Sequence, residues 1–255
     1  MAKVEVDKRG AVTVVTLNRP EVHNAIDGET GGLLRDAIQG FGHDADARVL
    51  VLTGAGGRAF CTGADLKDVA GLASPPPGEG PLRFSRLDPG KPTIAAIEGY
   101  CFAGGLELAC WCDFRIAGDT AEFGVLNRRW GIPLVDGGTQ RLPRQVGLGT
   151  ALWLIETGMR IDAARARAIG LVQEVVPAGH ALDRARELAD RMAAYPQASL
   201  RADRASAIAG LGQPLGEGLA GEERLGLASL ADPGIGEALA RYASGDRPEP
   251  PRPAD

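Results

Sequence analysis

The first residues of the chain alternate hydrophobic and polar positions with a period of two. Residues 3–7 and 11–17 both carry this pattern, and Arg9-Gly10 lies between them, which predicts a two-stranded hairpin. Asn18-Arg19-Pro20 then stops the second strand. The period changes after Asp27, which stands where it can cap a helix. Leu33, Leu34, Ala37, Ile38 and Phe41 follow on one side at helical spacing. Gly28, Gly31 and Gly32 lower that helix's intrinsic propensity, so it must lean on tertiary packing.

Residues 48–53 and 93–97 are short, continuous apolar runs, the signature of strands buried on both faces. Between them, residues 71–90 include Pro75-Pro76-Pro77-Gly78 and Pro81, too many breakers for a long regular element. A short apolar helix is expected from Gly105 to about Cys112, then strands at 114–117 and 121–123. Helices follow at 150–157, at 162–169 with Asp162 as cap, and at 181–194 with an Arg/Glu-rich outer face. A strand at 171–176 interrupts them. From Pro196 onward only helical stretches remain, around 198–209, 215–230 and 235–243. Strands alternating with helices first and helices alone later predict an α/β core with a helical C-terminal portion. The tail from Arg247, with four prolines in nine residues, is expected to be disordered.

Composition narrows the function. With 255 residues, 44% hydrophobic and 24% charged, the chain can bury a sizeable core. Its net charge of -5 comes from interspersed acids and bases, so neither nucleic acid nor an anionic membrane is an expected partner. No apolar run approaches the roughly 20 residues of a membrane span, and the opening MAKVEVDKRG has no apolar secretory core. A soluble, cytoplasmic protein is expected. Cys61, Cys101, Cys110 and Cys112 lie in apolar contexts without metal-ligand spacing, and read as reduced, buried thiols. His23, His43 and His180 are each isolated, and no metal is expected.

Chemistry concentrates in two places. Ala103-Gly104-Gly105-Leu106-Glu107 puts two glycines after a strand and before an apolar helix, where backbone N–H groups can approach a ligand at the positive end of the helix dipole. Glu107, among apolar neighbours, can have a raised pKa and serve as acid or base; alternatively it only complements the dipole. Phe60-Cys61-Thr62-Gly63-Ala64-Asp65-Leu66-Lys67 follows a buried strand and a Gly-rich loop, another small-residue turn at a strand's C-terminal end.

Together with Asn18-Arg19-Pro20, Asn24-Ala25, Lys91-Pro92, Cys112-Asp113 and Gly137-Gly138-Thr139-Gln140-Arg141-Leu142-Pro143, these clusters resemble the enoyl-CoA hydratase/isomerase (crotonase) family in order and spacing, over about residues 3–245. The resemblance implies a spiral of ββα units with two roughly perpendicular sheets, a catalytic core over 1–195, a C-terminal trimerisation portion over 196–245 and a tail over 246–255. It implies an oxyanion hole made by the N–H groups of Ala64 and Gly104, stabilising a thioester enolate. Coenzyme A enters as part of the substrate, with no tightly bound cofactor. Its adenine and pantetheine would run past Val22, His23, Ala25, Thr62, Ala64, Asp65 and Leu66, with Lys67 near a phosphate or simply on the surface. The assembly implied is a homotrimer or a dimer of trimers.

Hydratases of this family are expected to use two glutamates. Glu107 matches the first; the second falls on Asn127, which can hydrogen-bond but cannot take a proton. Asp136 is a candidate replacement carboxylate, or else a cap on the helix that starts after it. Arg128, Arg129 and Trp130 stand beside the expected pocket or face a neighbouring subunit. The readings are 2-enoyl-CoA hydration, double-bond isomerisation by Glu107 alone, and, in a different class, an acyl-CoA-binding or scaffolding protein with little chemistry.

Overall fold

The computed structural model describes residues 2–73 and 75–246. The expected tail over 247–255 lies outside them. Ten strands are described: β1 (Val4–Arg9), β2 (Val12–Leu17), β3 (Val49–Gly54), β4 (Ala59–Cys61), β5 (Thr93–Ile97), β6 (Tyr100–Phe102), β7 (Phe114–Gly118), β8 (Glu122–Gly124), β9 (Ile161–Asp162) and β10 (Glu174–Val176). The helices are α1 (Gly28–His43), α2 (Val69–Leu72), α3 (Gly104–Trp111), α4 (Gly138–Val146), α5 (Leu148–Thr157), α6 (Ala163–Ala168), α7 (Ala181–Ala194), α8 (Gln197–Ala209), α9 (Leu215–Ser229) and α10 (Pro233–Ala243).

Six strands form one sheet in the order β1-β2-β3-β5-β7-β10, and four form a second, β4-β6-β8-β9. Among the described strands only β1/β2 and β8/β9 pair antiparallel. The apolar runs of β3 and β5 are explained by burial on both faces. Val49, Val51, Ile94 and Ala96 pack on one side, and Leu50, Leu52, Ala95 and Ile97 on the other. On the first side α7 sets Ala181, Ala185, Ala189 and Ala193 against the sheet; small residues four apart let the helix axis come close. On the second side α1 and α3 share the larger core.

The hairpin, the caps of α1 and α6 and the breaker-rich 71–90 segment agree with the sequence. Asp27 and Asp162 accept from the N–H groups of Thr30 and Arg165. Two expectations need correction. Leu33 is 39% exposed, because α1 turns Thr30, Gly31, Leu34, Ile38 and Phe41 inward instead. The last strand shrinks to residues 174–176, since the buried Leu171 and Val172 donate their N–H groups to the Ala166 carbonyl at the end of α6. All four cysteines are free and buried; burial pushes the Cys110 thiol up to about 11 and Cys61 up to about 12, so neither is a thiolate near neutrality. Among the described residues no helix is long and apolar enough to cross a membrane.

Candidate active site

Every residue of α3 is buried, so this helix can hold a functional side chain rigidly. Its N-terminus is built by a close approach of two turns. A Cβ on Gly63 (φ +89°) would lie 2.6 Å from the Gly104 nitrogen, and one on Gly105 would overlap the Cys61 carbonyl. The turn into α3 passes through Ala103 at φ 51°, ψ -123°, a conformation that costs a non-glycine residue about 1–3 kcal/mol.

Ile26 donates to the Gly63 carbonyl and accepts from Asp65 N–H, both at 2.8 Å, so the ladder skips the Ala64 N–H. Neither the Ala64 nor the Gly104 amide has an acceptor among the described residues. Both residues line one cavity of about 610 Å³, with Glu107, Asn127 and Asp136 on its wall.

Glu107 is 4% exposed, and its Oε1 accepts from Gly138 N–H (2.8 Å) and Asp136 N–H (2.9 Å). Burial pushes its carboxyl up to about 7; the Asp136 charge adds to this, while the two N–H donors oppose it. A carboxyl in that range can both take and give a proton near neutral pH. Asp136 is 1% exposed. Its Oδ1 accepts from Ser85 Oγ (3.0 Å), and both oxygens lie 3.3 Å from Leu82 N–H. Burial raises its pKa as well, against the Ser85 hydrogen bond.

The helix-cap reading of Asp136 is therefore wrong. The N-cap of α4 is Gly137 in a left-handed conformation, without a side-chain cap, and the Asp136 carboxylate turns to the 80–86 segment instead. Arg141 ties the same parts together, donating to the Asp136 and Ser85 carbonyls. Leu82 packs over Gly104, where an added Cβ would collide with its side chain. The breaker-rich stretch is thus one wall of the cavity.

His23, Thr62, Ala64 and Leu66 line the cavity; Val22, Ala25, Asp65 and Lys67 do not. Ala25 is buried, and Asp65 is engaged by Arg19 at 3.0 Å, which also reaches Asp27 at 3.2 Å. Lys67 is exposed. Arg129 and Trp130 line the cavity, Trp130 being 70% exposed, whereas Arg128 donates to the Ile155 carbonyl outside it. Sequence reasoning missed Ser85, Leu82, Arg141 and Arg160. Arg160 stacks 5.2 Å from the Phe102 ring and 5.5 Å from Tyr100 while pairing with Glu122. It also missed Arg115, whose only signal was a lone charge in the apolar run Phe-Arg-Ile-Ala. No cluster of His, Cys, Asp or Glu among the described residues could hold a metal ion.

Comparison with known proteins adds a lineage to this geometry. The family model for enoyl-CoA hydratase/isomerase matches residues 7–247. Enoyl-CoA hydratase EchA19 of Mycobacterium tuberculosis is 40% identical over 200 residues, 74% of each chain. The (E)-benzylidenesuccinyl-CoA hydratase of Thauera aromatica is 39% identical over 217 residues, 82% of this chain and 83% of that one. Among solved structures, enoyl-CoA hydratase EchA1 of Mycobacterium marinum superposes with a TM-score of 0.90 at 32% identity, covering 97% of this chain and 98% of that one.

Proposed function

The chain belongs to the enoyl-CoA hydratase/isomerase family, and from that premise we propose that it adds water across the double bond of a 2-enoyl-CoA thioester. The observation that carries this reading is a buried carboxyl with a pKa of about 7 sharing one cavity with two unpaired backbone N–H groups. The hydratase names of the relatives favour hydration over isomerisation or a binding-only role.

In this mechanism the thioester oxygen accepts from Ala64 and Gly104 N–H. Water's oxygen bonds the β-carbon as Glu107 takes its proton; the electron pair of the carbon–carbon double bond becomes the enolate double bond to the carbonyl carbon, and the carbonyl pair moves onto the thioester oxygen. The enolate then collapses as Glu107 returns the proton to the α-carbon. One carboxyl can serve both transfers because its pKa lies near the working pH, and the two fixed donors meet the charge where it develops. The coenzyme A part would pass His23, Thr62 and Leu66, which line the same cavity. Turnover of crotonyl-CoA by the purified protein tests the reading; binding without turnover would overturn it.

Asp136 acts here as a positioning group, since its oxygens are already engaged by Ser85 and Leu82. Hydration kcat/KM should fall as pH drops through about 7, where Glu107 becomes protonated. Asp136→Asn removes a charge that raises Glu107, so the midpoint should move to lower pH. A loss of more than about 10²-fold at every pH would instead make Asp136 a proton-transfer group.

We further propose a homotrimer or a dimer of trimers in the cytoplasm. Helices α8 to α10 bury none of their residues, and Leu215, Leu219, Leu227, Leu230 and Leu239 are each more than half exposed. Apolar area on that scale supports an assembly surface. Four unpaired cysteines support a reducing compartment. Sedimentation at micromolar concentration should give a trimer or hexamer; a monomer would refute the assembly.

A further inference from the structure

The Asn18-Arg19-Pro20 turn takes no part in the reaction, and Arg19 does not line the cavity. Its guanidinium instead meets the segment that carries Ala64. Ala64 pairs with Ile26 in an isolated parallel bridge outside the ten strands. In such a bridge the residues flanking Ala64 make both hydrogen bonds, Gly63 accepting from Ile26 N–H and Asp65 donating to the Ile26 carbonyl, so the N–H of Ala64 itself points to the other side. A bridge of two hydrogen bonds has no longer ladder to fix its register, and a slip of one residue would turn the Ala64 N–H toward Ile26.

Arg19 grips both segments across that bridge. Nη1 donates to the Ala25 carbonyl at 2.6 Å, and Nη2 lies 3.2 Å from Asp27 Oδ2 and 3.0 Å from Asp65 Oδ2. The residues it holds are the two neighbours of Ile26 and the one that follows Ala64. Each carboxylate keeps its other oxygen for its own segment, Asp27 Oδ1 for Thr30 N–H and Asp65 Oδ1 for Lys67 N–H. All three side chains are largely buried, where salt and solvent screen little. A planar fork of N–H donors can meet a carbonyl and two carboxylates at once, whereas the point charge of a lysine cannot. We propose that Arg19 is a positioning residue for the oxyanion hole: it locks residues 25–27 and 63–65 in the register that leaves the Ala64 N–H free for the thioester oxygen. This rests on the reading of Ala64 and Gly104 as the oxyanion donors.

The test reads the carbonyl directly. Butyryl-CoA labelled with carbon-13 at the thioester carbon is saturated and not consumed, and hydrogen bonds to its oxygen move that resonance downfield of the free ligand. At saturating ligand, Arg19→Ala should shrink the displacement. It should also lower kcat for crotonyl-CoA hydration by about 10- to 100-fold, below the roughly 10²- to 10³-fold cost of removing an oxyanion donor outright. Arg19→Lys keeps the charge without the fork and should fall between; it carries the comparison if Arg19→Ala does not fold. Lys3→Ala removes the other cation on Asp27, 2.7 Å away, without touching the bridge, and should leave both readings at the wild-type value. A full displacement in the Arg19 variants, or an equal loss in Lys3→Ala, would overturn the proposal. Failure of the oxyanion reading would show separately, as wild-type protein that binds the labelled ligand without moving its resonance.

Discussion

Glu107→Gln should lower kcat for hydration by about 10²- to 10⁴-fold while leaving acyl-CoA binding nearly unchanged, because the amide keeps the shape of the carboxyl but cannot exchange a proton. Its oxygen can still accept from Gly138 and Asp136, the two bonds that hold Glu107 in place. The same substitution should stabilise the protein. A carboxyl raised from 4.5 to about 7 is neutral in both states below pH 4.5 and costs nothing there. As pH rises to about 7 the unfolded chain ionises first, and above that the folded protein carries the full penalty of a buried charge. Removing the charge should therefore add on the order of 2–3 kcal/mol at pH 8, and little at pH 4. Single-turnover kinetics and denaturant unfolding at the two pH values measure both effects. Activity within about threefold of wild type would mean that the proton moves through another group.

Arg115→Ala should be strongly destabilising. Arg115 is 2% exposed, and its guanidinium donates to the carbonyls of Ala109 (3.2 Å), Cys112 (3.0 Å) and Leu171 (2.5 Å), and to Gln173 Oε1 (3.1 Å). The first two belong to the C-terminal end of α3, where carbonyls lack intrahelical partners and a cation is favoured. Alanine leaves the Ala109, Cys112 and Leu171 carbonyls without this donor and opens a cavity beside them, while Gln173 keeps its bond from the residue 115 backbone N–H. The expected loss is on the order of 3–5 kcal/mol, a fall in Tm of roughly 10 °C or more for a chain of this size. Since α3 carries both Gly104 and Glu107, hydration should fall with stability and recover as the temperature is lowered. A loss under about 1 kcal/mol would show that water replaces the guanidinium at little cost.

Much of this architecture was written in local chemistry. The period-two hairpin, the apolar runs of β3 and β5, the Asp27 and Asp162 caps and the Arg/Glu-rich outer face of α7 are each fixed by residues within a few positions of one another. That is why the pattern alone located them. The two clusters around Ala64 and Gly104 were legible for the same reason: glycine is demanded wherever two turns approach closely, as Gly63 does against Gly104.

Other features required the fold. Glu107 owes its pKa to burial under residues from α4, and Asp136 and Asn127 were ambiguous as isolated letters: an acid before Gly-Gly reads as a cap, and an amide reads as a missing carboxylate. Only the tertiary structure turns Asp136 toward Leu82 and Ser85, 54 and 51 residues away in the chain. Only the fold pins the Asn127 nitrogen on Ile132 and leaves its oxygen without a partner. Propensity and spacing act over a turn or a strand. Burial, which sets a carboxyl's pKa and decides which polar atom lacks a partner, depends on segments that meet only when the chain has folded.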